Sequence, residues 1–288
     1  MLPFFLPTAL AVEQPLPFPP WLTDFTGLTE WPGMDPPYIP LDFIDFSQIP
    51  ADLNAWIHKQ GECVGLDRKD VCSFDCHNCV MSDDVYTCSS LSQTFDDGPS
   101  PFTSTLTSAL AMPVTFFTIG INVVRFPHIY RETADKGHVM GSHTWLHPFL
   151  PSQTNEQIVT QLEWLIWAMN ATYGHLPKWF RPPYGGVDNR VRAILHQFGM
   201  QAVLWDFDSF DWRLASTNDD AGSAALYQSL ESFKHSHNNQ GLILEHDSMA
   251  FTVNTGIHLA GMIGPNQLTV PQCVNGISYI KHFKHQAD

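Results

Sequence analysis

The sequence has few cationic residues. Its 288 residues include 14 Lys and Arg against 29 Asp and Glu, which gives a formal net charge of −15 at pH 7. Charged residues make up only 15% of the chain, compared with about 25% in ordinary soluble domains. Sequence-independent binding of nucleic acid needs a cationic surface that displaces counterions, so we predict no nucleic-acid partner. The negative charge favours a neutral or cationic ligand over a polyanion.

A long apolar run is also missing. The longest uncharged stretch, residues 98–124, contains three prolines and many Ser and Thr residues, whereas a membrane-spanning helix needs about 20 continuous apolar residues. We therefore predict no membrane span. Residues 2–10 are apolar, and Ala9-Leu10-Ala11 has the small-x-small form of a cleavage site. Because no Lys or Arg precedes it, we interpret this segment as a weak or truncated secretory signal.

Prolines are concentrated at the start of the chain. Eleven of the 22 lie in residues 1–50, where fixed φ angles and missing amide donors predict an extended arm without helix or sheet. Aromatic residues such as Trp21 and Trp31 are interspersed, which predicts that the arm packs on a folded body. We divide the chain into a Pro-rich arm at 1–50, a Cys-rich segment at 51–90 and a larger domain at 91–288.

Six cysteines indicate an oxidising compartment. Five lie within residues 63–88 and the sixth is Cys273. An even, clustered count is typical of a disulfide framework, and because five cysteines cannot pair completely, one of them needs Cys273. A structural zinc site is the alternative, since Cys76 and Cys79 have ligand-pair spacing. The acceptor sequence Asn170-Ala171-Thr172 is compatible with a secreted glycoprotein.

From residue 91 onward, predicted strands and helices alternate. The predicted strands are 91–95, 114–118, 138–142, 179–181, 202–205 and 241–245. The predicted helices are about 102–111, 125–136, 155–170, 188–198, 221–235 and 253–263. The clearest helix follows a capping box formed by Thr154 and Gln157. This alternation predicts an α/β fold with a parallel sheet or a (β/α) barrel, whose ligand site lies at the carboxyl ends of the strands.

Residue types suited to metal binding follow two of these strands. Asp96 and Asp97 end the first strand before a Gly-Pro turn, so both carboxylates could face one pocket, although an ordinary turn is the alternative. His143 and His147 follow the third strand at i, i+4 spacing, which on a helical turn lets both imidazoles bind one metal ion. Asp97 and the two histidines would make a three-ligand site with an open position, the pattern of a catalytic zinc.

The other strand ends also carry polar residues. After the fourth strand, two prolines precede Tyr184, whose amide is the first N–H available to stabilise an oxyanion. Arg181 in the same segment could pair with a buried carboxylate, and a structural loop is the alternative. Residues 206–212 alternate acids with aromatics, which suits sugar recognition; a calcium loop is the rival, but the EF-hand spacing is missing. His246 ends the sixth strand, where we predict a general acid or base.

These segments resemble, in order and spacing, the polysaccharide deacetylase family of metal-dependent carbohydrate esterases (the NodB-homology domain). The matching segments are TFDDGPS at 94–100, HTWLH at 143–147, RPPYG at 181–185, DSFDW at 208–212 and LEHD at 244–247. The match covers about residues 88–264, and the cysteine cluster before it is similar to that of fungal chitin deacetylases. The resemblance implies an α/β fold, a distorted (β/α) barrel, with residues 91–288 as the catalytic domain.

The resemblance also implies catalytic roles by matching position. Asp96 would be the catalytic base, and Arg181 would hold it in place. His246 would be the general acid, and Asp211 would orient it and tune its charge. The backbone N–H of Tyr184 would contribute to the oxyanion hole.

Metal and substrate residues are implied in the same way. One divalent ion, zinc with cobalt as the alternative, would bind to Asp97, His143 and His147. The residues expected to contact the substrate are Tyr184, Trp212, Leu244 and Trp145. The implied function is hydrolysis of N-acetyl groups on chitin or chito-oligosaccharides by a monomeric enzyme that is secreted or held in the cell wall. Deacetylation of acetylxylan or peptidoglycan, glycoside hydrolysis and non-catalytic binding of wall polysaccharide are the alternatives, although the adjacency of the two carboxylates and the two histidines disfavours a glycosidase.

Overall fold

A computed structural model describes residues 14–49, 57–67, 69–215 and 220–283. The predicted secretory signal lies outside the described residues. The strands are β1 (Ser92–Asp96), β2 (Thr115–Thr118), β3 (Val139–Ser142), β4 (His175–Pro177), β5 (Trp179–Phe180), β6 (Gln201–Ala202), β7 (Phe207–Asp208), β8 (Leu242–His246) and β9 (Tyr279–His282). The helices are α1 (Pro20–Thr26), α2 (Phe74–His77), α3 (Thr103–Ala109), α4 (Gly120–Arg125), α5 (Pro127–Asp135), α6 (Asn155–Tyr173), α7 (Asn189–Gln197), α8 (Asp211–Ala215), α9 (Asp220–Ser236), α10 (Ala250–Ile263) and α11 (Val270–Cys273).

Seven strands form one parallel sheet in the order β6-β5-β3-β2-β1-β8-β7. If the sheet were flat, its edge strands would lie about 29 Å apart at ordinary strand spacing. The edge strands β6 and β7 are separated in the chain by residues 203–206 alone, which reach at most about 18 Å. The sheet therefore curves back toward itself, and the predicted α/β fold with a distorted barrel is confirmed as an incomplete barrel.

All six predicted strands are present, but three short ones were missed. β7 has two residues, too few for a hydrophobic period. β4 and β9 pair antiparallel in a separate small sheet, and their contact joins segments far apart in the sequence. The predicted helix at 125–136 begins too early. Residue 125 ends α4, and a separate helix, α5, begins at Pro127. Pro127 is the first residue of α5, a position at which its missing N–H costs nothing.

The Pro-rich arm lies on the folded body, as its aromatic residues predict. The Leu16 amide donates to the Val124 carbonyl at 2.8 Å, and the Trp31 indole donates back to the Leu16 carbonyl at 2.9 Å. The prediction that the arm contains no helix is wrong, because α1 forms at its centre. Pro20 occupies the first position of that helix, where proline is tolerated, and Gly27 ends it in a left-handed conformation at φ 74°.

The arm continues across α6, whose capping box is present as predicted. The Trp145 indole donates to the Gly33 carbonyl at 3.1 Å, and the Trp164 indole donates to the Pro37 carbonyl at 2.8 Å. Glu163 is buried and accepts from the Ile39 amide at 3.0 Å. Burial raises the pKa of Glu163 to about 8, and the single hydrogen bond from Ile39 offsets only part of that rise.

All six cysteines are paired. The disulfides join Cys63 to Cys76, Cys72 to Cys79 and Cys88 to Cys273. The predicted link from the cluster to Cys273 is confirmed, and its partner is Cys88. The zinc alternative is wrong, because Cys76 and Cys79 belong to two different disulfides. The Cys88–Cys273 bond spans 185 residues and in the loop-entropy account contributes ~5 kcal/mol to stability.

The Cys-rich segment is fixed to one edge of the sheet. The Val85 amide donates to the Ala202 carbonyl at 3.0 Å, and the Leu204 amide donates to the Val85 carbonyl at 2.7 Å. The buried Arg192 guanidinium binds both carboxylate oxygens of Asp84 and donates to the carbonyls of two cysteines, Cys72 and Cys79. The segment thus continues the sheet beside the strand ends where the site is expected.

Two further features bear on the cellular context. Among the helices in the described ranges, none combines the length and the apolar character needed to cross a bilayer. The glycosylation acceptor Asn170 lies in the last turn of α6, and Thr172 is buried with its hydroxyl donating to the Ala168 carbonyl at 2.7 Å. The acceptor sequence is therefore part of a packed helix, whereas glycan acceptors are typically found in surface loops.

Candidate active site

The carboxyl ends of the parallel strands surround a cavity of about 600 Å³. All five motifs of the sequence contribute to its lining: Asp96, Asp97, His143, His147, Pro182, Tyr184, Asp208, Phe210, Trp212, Leu244 and His246. The remaining lining residues are Gln60, Trp205 and Arg213. The fold therefore brings segments that are up to 150 residues apart in the sequence to one place, as expected at the strand ends of a parallel sheet.

Asp97, His143 and His147 converge within this cavity. Oδ1 of Asp97 lies 3.5 Å from Nε2 of His143 and 3.4 Å from Nε2 of His147. Ligands bound tetrahedrally to zinc at ~2.0–2.1 Å lie about 3.4 Å from one another, so these spacings fit one ion. Oδ1 of Asp97 is also buried without a hydrogen-bond partner, and a cation would satisfy it. The three residues form a candidate metal site.

The two histidines do not meet on a helical turn, so that part of the prediction is wrong. Residues 143–147 form a loop after β3, in which Thr144 and His147 have left-handed φ angles of 70° and 63°. The Thr144 hydroxyl accepts from the His147 amide at 2.8 Å and closes the loop. Nδ1 of His143 donates to the Arg181 carbonyl at 2.7 Å, which leaves Nε2 free to bind a metal ion.

The Asp96–Gly98 turn directs two neighbouring carboxylates into one cavity. Side chains of adjacent strand residues normally point to opposite faces, but Asp97 has a left-handed φ of 79°, which redirects the chain. The Asn122 side chain holds this turn by donating to the Asp97 carbonyl at 2.9 Å. Gly98 packs so closely on the buried Asp247 that an added Cβ would lie 2.2 Å from Oδ2 of that residue. Glycine is therefore required at position 98.

Arg181 and Asp96 form a buried ion pair. The Nη1 atom of Arg181 lies 3.3 and 3.4 Å from the two carboxylate oxygens of Asp96. The guanidinium also donates to Thr94 Oγ1 at 2.9 Å and to the Val203 carbonyl at 2.7 Å, and it packs on the Phe117 ring. Burial lowers the pKa of Arg181, and the negative charge of Asp96 opposes that change. Arg181 thus holds Asp96 in one orientation.

His246 and Asp211 form a second pair in the cavity, and His246 lies beside Asp96 on the neighbouring strand. Nδ1 of His246 lies 2.7 Å from Oδ1 of Asp211, and Oδ2 of Asp211 accepts the His246 backbone N–H at 2.9 Å. Burial disfavours the charged imidazole, but the charge and hydrogen bond of Asp211, with smaller contributions from Asp97 and Asp96, raise the pKa of His246 to about 10. His246 is therefore protonated at neutral pH.

The candidate metal ligands have the charge states that metal binding requires. Burial, together with the neighbouring His143, lowers the pKa of His147 to about 4, so its imidazole is neutral at pH 7. Burial alone would raise the pKa of Asp97, but the contact with His143 and the nearby imidazoles of His246 and His147 hold it below its ordinary value. A neutral imidazole and an ionised carboxylate are the ligand forms that bind a divalent cation.

Three predicted substrate-binding residues line the cavity. Tyr184 is 52% exposed with φ 59°, and its ring centroid lies 4.5 Å from that of His147. Trp212 is 44% exposed, whereas Leu244 is buried. These residues offer two flat rings and one apolar patch beside the candidate metal site.

Trp145 does not lie in the cavity, contrary to the prediction. It is 0% exposed and packs in the core against Trp31 and Trp164, with its indole bound to the arm. The left-handed Thr144 turns successive side chains of the loop in different directions, so the histidines face the cavity while Trp145 faces inward. The prediction that Trp145 contacts the sugar is wrong.

Several cavity residues were not selected from the sequence. Trp205, Phe210 and Arg213 lie in or next to the segment where acids alternate with aromatics, a signal that could have pointed to them. Gln60 comes from the Cys-rich segment and carries no motif. Asp247 adjoins His246 and lies beneath Gly98, where burial raises its pKa to about 7.

Comparison with known proteins gives consistent matches. The sequence profile of the polysaccharide deacetylase family matches residues 84–203. Chitin deacetylase 2 of Saccharomyces cerevisiae is 54% identical over 280 residues, which cover 97% of this chain and 88% of that protein. Chitin deacetylase 1 of the same yeast is 50% identical over 272 residues, with 94% and 88% coverage. The solved structure of the chitin deacetylase from the fungal pathogen Colletotrichum lindemuthianum aligns with a TM-score of 0.59 at 25% identity, covering 71% of this chain and 98% of that one.

Proposed function

Because this chain belongs to the polysaccharide deacetylase family and is a chitin deacetylase, we propose that it hydrolyses N-acetyl groups of N-acetylglucosamine polymers with the help of one divalent metal ion. The observation that carries the proposal is the convergence of Asp97, His143 and His147 in one cavity beside Asp96 and His246. The resemblance predicted from the five motifs is confirmed by the comparisons.

One carboxylate and two imidazoles make a ligand set that suits zinc, with cobalt as the alternative. A bound divalent ion would polarise the acetyl carbonyl and lower the pKa of a water molecule. The fit is supported by the ligand spacing and by the unpartnered Oδ1 of Asp97.

The side chains around this site have separate tasks in the proposed reaction. Asp96, held by Arg181, accepts a proton from the water that attacks the acetyl carbon. The Tyr184 backbone N–H donates to the oxygen that becomes negative. The C–N bond then breaks, and His246 donates its proton to the departing nitrogen. Water and amide are thereby converted to acetic acid and an amine, which leave as acetate and an ammonium group. The proton gained by Asp96 equals the proton lost by His246, so protons and charge balance once Asp96 releases its proton and His246 is protonated again.

The substrate and the location follow from the surroundings of the site. Exposed rings of Tyr184 and Trp212 suit stacking on pyranose faces. The product polymer is cationic, and a net charge of −15 attracts it at low ionic strength. Three disulfides fit a protein that acts outside the cell. We propose a monomeric enzyme that is secreted or held in the cell wall.

Acetate release tests this function. The purified protein is incubated with chitin tetramer or pentamer and, in parallel, with acetylated xylo-oligomers, with added zinc or cobalt and with a chelator. We expect release from chitin oligomers that the chelator abolishes and that added metal restores. A preference for acetylxylan above tenfold, about 1.4 kcal/mol, would overturn the substrate but not the mechanism. Binding without any acetate release would identify a non-catalytic wall-binding protein.

A further inference from the structure

A second cavity of about 590 Å³ adjoins the active-site cavity. The two share the lining residues Tyr184, Trp205, Asp208 and Phe210. The other lining residues of this outer cavity are Phe74, Asp75, Asn78, Val80, Tyr86 and Asp206. All but Asp206 belong to the Cys-rich segment, which precedes the barrel strands. The polymer can therefore pass from one cavity to the other along a common wall.

We propose that the outer cavity binds a further sugar unit of the polymer undergoing deacetylation, and that the Cys-rich segment thereby selects substrates without acidic sugars. The inference rests on the proposed function, because it concerns the same polymer. Residues 74–86 would then select the substrate in addition to carrying disulfides that stabilise the fold.

The wall of the outer cavity is pre-organised. The Cys72–Cys79 disulfide closes the turn that carries Phe74, and the Phe74 amide donates to the Val187 carbonyl at 3.0 Å. Arg192 fixes both ends of the same turn through the carbonyls of Cys72 and Cys79. A wall that is rigid before binding loses little conformational entropy when a ligand arrives, which favours recognition of a flexible polymer.

Aromatic rings surround the outer cavity. Two of these rings are accessible to a ligand: Tyr86 is 45% exposed and Phe210 is 43% exposed. Phe74 packs edge-on against Trp205, with ring centroids 5.2 Å apart. A concave site with flat rings and a few polar groups suits a pyranose, whose faces are apolar and whose edge carries hydroxyls.

The charged groups of the outer cavity are carboxylates. Asp75, Asp206 and Asp208 line it, and among the described residues no Lys, Arg or His does. Asp206 and Asp208 each accept one backbone N–H and keep further lone pairs for sugar hydroxyls. The Asp75 carboxylate accepts from the Ser73 hydroxyl at 2.8 Å and lies 3.7 Å from Nε2 of the buried His58. A sugar that carries its own carboxylate, such as the muramic acid unit of peptidoglycan, would be repelled. An uncharged N-acetylglucosamine or a cationic glucosamine would be accepted.

Oligomer length tests the added sugar unit. We compare kcat/KM for acetate release from chitin dimer and hexamer in the wild type and in Tyr86→Ala, Tyr86→Phe and Phe102→Ala. Phe102 is 40% exposed and lines neither cavity, so its substitution is the control for loss of an exposed ring. We expect Tyr86→Ala to lower the hexamer-to-dimer ratio of kcat/KM about fivefold, while Tyr86→Phe and Phe102→Ala keep the wild-type ratio.

The charge preference is tested with glycan strands that alternate N-acetylglucosamine and N-acetylmuramic acid. We expect the wild type to act on them at least tenfold less efficiently than on chitin of equal length. Asp208→Asn, whose side chain can still accept from the Phe210 amide, should narrow that gap. An unchanged ratio in Tyr86→Ala, or equal efficiency on both polymers, would overturn the inference. If the wild type released no acetate from any chitin oligomer, the proposed function itself would fail. That result differs from an active enzyme with an unchanged ratio, which would contradict only the inference about the outer cavity.

Discussion

Asp211 binds His246 at two points, through the imidazole Nδ1 at 2.7 Å and through the backbone N–H at 2.9 Å. The first contact fixes the ring so that Nε2 faces the cavity, and it stabilises the protonated form. The second contact fixes the end of β8, on which His246 lies. Asp211 therefore sets both the orientation and the charge of the proposed general acid.

Replacing Asp211 should shift the pH dependence of catalysis. His246 has a raised pKa of about 10, so the proton that it donates is present at neutral pH and is lost only as the pH rises through that value. In Asp211→Asn the pKa should fall toward the ordinary value of about 6.5. We expect the alkaline limb of the kcat/KM profile to move to lower pH. An alkaline limb at the wild-type position would show that another group supplies the proton.

Substitution of Asp96 and substitution of Asp97 should have different effects on metal content and on kcat. Asp96→Asn removes the proposed base but no metal ligand, so the metal content should stay at the wild-type level while kcat falls on the order of 10²–10⁴-fold. Asp97→Asn removes a ligand and should reduce the bound metal. Elemental analysis after dialysis, combined with acetate release, measures both. The opposite pattern would mean that the roles of the two aspartates are exchanged.

Gly98→Ala should damage the turn that holds the candidate metal ligand Asp97. The new Cβ would lie 2.2 Å from Oδ2 of Asp247, a buried carboxylate that also accepts from the Thr103 hydroxyl. We expect a loss of stability of about 1–3 kcal/mol, typical of overpacking, and weaker metal binding. Gly261→Ala is the matched control, since nothing lies within 4 Å of its added Cβ and alanine favours a helix. Equal melting temperatures for the two variants would contradict the steric argument.

Glu163 should make stability fall as the pH rises. Its pKa is about 8 in the folded protein, against an ordinary value of about 4.3. Between these values the unfolded chain has lost the proton that the folded chain keeps, so unfolding is favoured by an amount on the order of a few kcal/mol. Glu163→Gln cannot ionise, and its melting temperature should fall less than that of the wild type between pH 5 and pH 8. Parallel melting curves across this range would refute the assignment.

The sequence predicted that Asp97, His143 and His147 lie close together, because the segments that carry them follow strands that alternate with helices. It did not predict how the loops turn. The left-handed φ angles of Thr144 and His147 depend on packing against neighbouring loops, and no residue preference indicates them. This is why Trp145 was assigned to the cavity although it lies in the core.

The outer cavity was beyond prediction for a different reason. Its wall depends on which cysteines pair, and six cysteines allow 15 pairings. It also depends on Arg192, one of two arginines in α7, whose contacts with the Cys-rich segment involve residues more than 100 positions away. Such long-range contacts leave no periodicity in the sequence. Likewise, the helix in the Pro-rich arm forms because Pro20 is at its first position, where the usual rule against proline does not hold.

The Cys88–Cys273 disulfide makes the catalytic region a covalent ring, because the Cα atoms of its two cysteines lie 4.9 Å apart and the proposed catalytic residues all fall between them. A protease that cut one peptide bond inside this ring would open the chain without releasing a fragment. The two pieces would stay joined through sulfur, and their strands could remain paired in the same sheet. In the presence of proteases the protein would therefore tolerate a first cut, and only a second cut or a reductant would separate the two pieces.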